Sequence, residues 1–133
     1  MLTKPLHGWT DFSLGTEIYY LSHITNIPLE WLDRAIFGLE TLLPFEVRGD
    51  CEPGQMVCTV AFSHCHIRFR NDRTCEESVP VTMLEFCKQL HRDISANLDA
   101  WTTWGTHGVT KEDLQRRLDR LQKLMEIKEN CFR

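Results

Sequence analysis

Met56-Val57-Cys58-Thr59-Val60-Ala61-Phe62-Ser63-His64-Cys65-His66-Ile67-Arg68-Phe69 is the stretch on which the fold turns. Met56, Cys58, Val60 and Phe62 share one parity, whereas Cys65, Ile67 and Phe69 share the other. Alternating apolar residues mark a half-buried strand, and a slip of one residue would turn its apolar face outward. The slip near Ser63-His64 therefore predicts a hairpin, because two strands of about seven residues suit normal lengths better than one of about fifteen.

Upstream of the hairpin, the glycines and proline of Gly49-Asp50-Cys51-Glu52-Pro53-Gly54 supply turn chemistry, and Phe45 to Arg48 reads as a short strand. Ile27-Pro28-Leu29-Glu30-Trp31 opens a helix with proline at its first position, where a missing N–H costs nothing. Leu29, Leu32, Ala35, Ile36, Leu39 and Leu43 continue it with helical spacing, Trp31 falls just off that stripe, and Pro44 stops it. Residues 15–21 are rich in β-branched and aromatic side chains and are expected to form the first strand.

Downstream, the polar residues from Arg70 to Ser78 are expected to form a loop that holds at most a short edge strand. Met83, Leu84, Phe86, Cys87, Leu90, Ile94 and Leu98 then form a broad apolar stripe, predicting a helix from Pro80 to about Trp101. Gly105-Thr106-His107-Gly108 breaks it. Thr110 caps a third helix whose narrow seam of Leu114, Leu118, Leu121 and Met125 suits a surface position. This order predicts an α+β fold in one domain over residues 1–133, with a small antiparallel sheet of about four strands packed with about three helices.

Apolar residues make up 42% of the 133 and charged residues 26%, ordinary values for a globular chain. The net charge of −4, with both signs interleaved, disfavours nucleic acid as a partner and favours a basic one. No run approaches the roughly 18 apolar residues of a membrane span. Residues 1–8 hold no continuous apolar segment of the secretory type. A cytoplasmic protein is expected, and its six cysteines are then expected to be reduced, several packed as small apolar side chains.

Motifs that would name a reaction are absent: no glycine-rich nucleotide loop, no Gly-x-Ser-x-Gly elbow, no His-Glu-x-x-His and no Cys-x-x-Cys. No catalytic residue and no cofactor are assigned. His64 and His66, two apart on a strand, would share a face and could both ligate a metal, but no third ligand is evident. They read first as solvent-facing, and a metal-binding protein or metal-dependent enzyme centred on them is the alternative. Cys87 and His91, one helical turn apart, have the skeleton of a thiol nucleophile, yet lie at the edge of an apolar stripe that would make the thiol inert.

Partner binding is better supplied. Asp50 and Glu52 sit on one turn, and Asp72, Glu76 and Glu77 cluster near another, forming a candidate negative patch. Trp101 and Trp104 flank a polar loop, where an exposed aromatic pair could anchor a partner. Ile27-Pro28-Leu29-Glu30-Trp31, the hairpin ending His66-Ile67-Arg68-Phe69 and the helix from Val81 to Leu90 together resemble small bacterial immunity proteins. Those proteins neutralise toxins delivered by contact-dependent inhibition or type VI secretion. The resemblance covers size, acidity and element order and carries over no residue. It implies a stoichiometric inhibitor that covers the active site of a cognate toxin, expected to be a nuclease. An adaptor or oligomerisation subunit using the C-terminal helix is a further alternative.

Overall fold

The parity slip is a two-residue turn closed by the Ala61 N–H on the His64 carbonyl at 2.9 Å. It joins β4 (Gln55–Val60) to β5 (Cys65–Arg70), the centre of a four-stranded antiparallel meander completed by β3 (Phe45–Asp50) and β6 (Thr74–Val79). Phe62 was expected on the inner face of a strand; it lies instead in the turn, 50% exposed. The structure, a computed structural model, describes residues 1–71 and 74–131. The α+β class, with antiparallel strands throughout, is as the sequence predicts.

Each cross-strand row has one face. Phe45, Val60, Cys65 and Val79 form one inner row, and Val47, Cys58, Ile67 and Glu77 the next. All of these except Glu77 are buried. The outer face carries Glu46, Thr59, His66 and Ser78, then Arg48, Val57, Arg68 and Glu76. Glu46 pairs there with Arg48 at 3.1 Å and Arg68 at 3.7 Å.

The expected first strand is half of a separate hairpin, β1 (Trp9–Ser13) with β2 (Ile18–Ser22). Phe12, Tyr19 and Leu21 turn inward from it and are buried. Helix α1 (Ile27–Thr41) carries Trp31, which is fully buried and so belongs to the stripe. Its ring meets Phe12 edge-on at 5.4 Å and stacks on Phe86 at 6.4 Å, and its indole N–H donates to the Arg48 carbonyl at 2.9 Å.

Helix α2 (Met83–Ala96) begins three residues later than Pro80. There a capping box forms, with the Glu85 N–H on the Thr82 hydroxyl and the Thr82 N–H on the Glu85 carboxylate. The chain then breaks at Asn97 into the one-turn α3 (Leu98–Thr102). Helix α4 (Lys111–Cys131), capped by the Thr110 hydroxyl, packs against α1 and α2 through the expected leucine seam. Arg117 and Arg120 secure it to Asp33 and Glu40 of α1. Among the described residues no helix is long and apolar enough to cross a membrane.

All six cysteines are free. Cys58, Cys65 and Cys87 are fully buried on the inner side of the sheet, where the Cys65 thiol donates to the Val81 carbonyl at 3.3 Å. Burial pushes the Cys87 thiol well above its ordinary range.

At Gly38 α1 packs directly on Phe45 of β3, since a Cβ there would overlap the Phe45 ring. In an exposed helix interior, glycine to alanine gains up to about 1 kcal/mol. At Gly38 the clash reverses the sign, and Gly38→Ala should lose about 1–3 kcal/mol. Urea denaturation measures it; an increased midpoint at unchanged slope would contradict this packing.

Candidate partner-binding surface

The sheet and its hairpin divide the predicted acidic residues between different settings. Asp50 ends β3 on the outer face, and its carboxylate accepts the Glu52 N–H at 2.9 Å, fixing the turn. Glu52 is exposed beside it. Glu76 is exposed on the outer face of β6, 3.8 Å from His66. Asp72 lies outside the described residues.

Glu77 faces inward instead. Its carboxylate accepts the Thr16 N–H at 2.5 Å and the Thr16 hydroxyl at 3.1 Å. A Cβ on Gly15 would meet that carboxylate, so the β1–β2 turn lies close over it. Glu77 is therefore a structural clasp between hairpin and sheet, and it leaves the candidate patch.

Trp101 and Trp104 also leave it. They are 0% and 4% exposed, with ring centroids 5.2 Å apart. Their indole N–H groups reach the Asp93 carbonyl at 3.4 Å and the Thr25 carbonyl at 3.0 Å. Aromatic bulk with a satisfied donor is what a buried tryptophan needs, and α3 supplies the setting.

The surface that replaces them lies on the hairpin. Trp9, Asp11, Ser13, Ile18 and Tyr20 share its outward face, with Trp9 diagonal to Tyr20. Ile18 is 55% exposed, Tyr20 60% and Trp9 39%. Beside them a cavity of about 330 Å³ opens between the hairpin, the β3–β4 turn and the end of β6. Ile18, Tyr20, Pro53, Phe69 and Cys75 line it, Glu17 stands at it, and Glu52 sits between its lining residues Cys51 and Pro53. Aromatic and aliphatic groups thus share the cavity with one lining carboxylate, Glu17, and the exposed Glu52 lies next to two other lining residues in the chain. A larger groove of about 850 Å³ runs between α1 and β3, but its Asp33 and Glu46 are already paired with arginines.

Tyr19 lies at the same cavity and is 6% exposed. Among the described residues its hydroxyl has no hydrogen-bond partner, and neither has the second carboxylate oxygen of Glu77. Burial first, and then the Glu77 charge, pushes the Tyr19 phenol up to about 12. Burial, with Asp50, pushes the Cys51 thiol up to about 11.

The histidine candidates are engaged otherwise. His64 lies in the turn, with its Nδ1 3.2 Å from the Ser63 hydroxyl, and His66 on the outer face has its Nδ1 3.0 Å from the Ser78 hydroxyl. Among the described residues no group of three or more His, Cys, Asp or Glu is placed to hold a metal ion. His91 donates from Nε2 to the Leu118 carbonyl at 3.1 Å, and burial lowers its pKa. Its partner in the thiol reading, Cys87, is fully buried.

The shifted phenol gives the alkaline stability a sign. The unfolded phenol titrates near 10.0 and the folded one near 12, so between those values only the unfolded chain loses the proton. Stability present below pH 10 therefore falls as pH rises through this window. Cys51 adds to the loss from about 9 upward. Tyr19→Phe should make the decline shallower and, at neutral pH, hold or raise stability by about 1 kcal/mol by removing an unpartnered hydroxyl. Denaturant melts between neutral and alkaline pH measure both; a clear loss at neutral pH would mean that the hydroxyl is hydrogen-bonded.

The chain matches no family model, no curated protein and no solved structure.

Proposed function

We propose that this chain is a cytoplasmic immunity-type protein, which binds a cognate bacterial toxin of nuclease type and covers its active site without performing chemistry. The observation that carries the proposal is the exposed hairpin face of Trp9, Ile18 and Tyr20, whose Ile18 and Tyr20 line a cavity together with Glu17. Exposed apolar groups gathered on one face, with a polar rim, are how protein interfaces are built, and tryptophan and tyrosine are favoured anchors.

The charge of the site supports the class of partner. A nuclease cleft attracts polyanions and is basic, so carboxylates presented to it speed encounter through long-range attraction. The apolar groups then slow release, each fully buried side chain contributing on the order of 1.5–3 kcal/mol. The net charge of −4 acts in the same direction.

The test uses the product of the adjacent gene as the candidate toxin. Co-expression of this chain should restore the growth of cells producing it, and the purified pair should form a stoichiometric complex. Glu17→Lys with Glu52→Lys should slow association about tenfold or more at low salt and far less at high salt. Tyr20→Ala should act on dissociation instead, costing about 2 kcal/mol or more. No complex, or association rates untouched by the double reversal at both salts, would defeat this mechanism.

A further inference from the structure

The two edges of the four-stranded sheet are finished differently. At β3, the Trp31 indole N–H occupies the Arg48 carbonyl, which points away from β4, and Leu21 of β2 abuts Gly49. At β6 no described strand lies beyond. The Ala61–His64 closure sets which backbone groups point outward. Antiparallel pairs alternate between hydrogen-bonded and non-bonded, so His66 and Arg68 bond to β4, while Cys65, Ile67 and Phe69 bond to Val79, Glu77 and Cys75. The outward N–H and C=O groups of β6 are then those of Thr74, Glu76 and Ser78. The same alternation carried back to β3 points the Arg48 carbonyl outward, where the Trp31 indole meets it.

The side chains around that edge specify what fits it. Thr74, Glu76 and Ser78 are all exposed, and their side chains stand on the outer face, with Glu76 at the centre. On the inner face the edge opens at exposed Cys75 onto the cavity walled by Phe69, Ile18 and Tyr20. Self-pairing of β6 is disfavoured, because an antiparallel copy centred on Glu76 would set two like charges opposite each other.

We infer that β6 takes up an extended segment of the protein partner as a fifth strand, with alternating basic and apolar residues. Its basic side chains lie over Glu76 on the outer face, and its apolar ones enter the cavity beside Cys75. Main-chain hydrogen bonds give such an added strand its affinity, and pockets for alternate side chains give it specificity. The identity of the partner rests on the proposed function; the mode of binding rests on the edge.

A short synthetic peptide alternating valine and arginine serves as the probe, titrated into the isotope-labelled chain and followed by NMR. Saturable shifts should centre on the amides of Thr74, Glu76 and Ser78. A copy of the peptide N-methylated at its arginines should bind at least about tenfold more weakly, since it cannot complete the ladder. In an antiparallel pairing those amides face β6 when the arginine side chains lie over Glu76. Glu76→Pro should weaken binding similarly while folding normally, because proline is tolerated on an edge where its missing N–H faced solvent. Absent binding, shifts centred elsewhere, or equal binding of the N-methylated peptide would overturn the inference, and that peptide leaves the chain itself unaltered. If the peptide adds to β6 while the adjacent gene product fails to bind, the toxin assignment falls and the edge stands. If the toxin binds tightly to wild type and Glu76→Pro alike, the edge falls and the function stands.

Discussion

One side chain, Trp31 of α1, joins the β1–β2 hairpin, α2 and the β3 edge of the sheet. Its ring lies against Phe12 of the hairpin and Phe86 of α2, and its indole N–H ends on the backbone of β3. A fully buried indole must place its one donor, and an edge carbonyl is an acceptor that the sheet leaves unused. Both needs are met by a single 2.9 Å bond. The position of α1 over the sheet follows, and with it the place of the hairpin.

An asymmetry follows from this contact. At Arg48 the Trp31 indole already stands where a further strand would pair, whereas no described strand pairs with the outer edge of β6. Open edges invite unwanted pairing, and a central glutamate is one of the ways in which proteins discourage it. The same glutamate admits a basic strand, so protection and recognition need not conflict. The hairpin, clasped to β6 through Thr16 and Glu77, brings Ile18 and Tyr20 to that end of the sheet. Strand edge, apolar cavity and carboxylates meet at one end of the molecule.

How much of this could be read in advance depended on whether the pattern of side chains or the backbone decided each element. The β4–β5 hairpin was legible because Met56, Cys58, Val60, Cys65 and Ile67 alternate cleanly about a turn. Strand β1 was hidden because its alternation is inverted in polarity. Thr10 is buried, with its hydroxyl satisfied by the Thr3 carbonyl at 2.7 Å, while Trp9 faces out. Strand β6 was legible only as a short edge strand within an expected loop, because Thr-Cys-Glu-Glu-Ser carries no apolar stripe and it is pairing to β5 that makes it a strand. The acidic turn at Asp50 and Glu52 was legible from composition. The burial of Trp101 and Trp104 was not, since it depends on carbonyls of Asp93 and Thr25 that folding brings near. Tyr20 and Ile18 were visible as apolar residues in a strand, but which of them faced out depended on a partner strand that the pattern concealed.

The central claim is that the hairpin face and the β6 edge together form the binding surface. Hydrogen exchange of the chain, free and in complex with the adjacent gene's product, tests it most directly. The account predicts new protection at the amides of Thr74, Glu76 and Ser78 and along residues 17–20, with little change on α4. Protection confined to α4, or to the groove between α1 and β3, would contradict it.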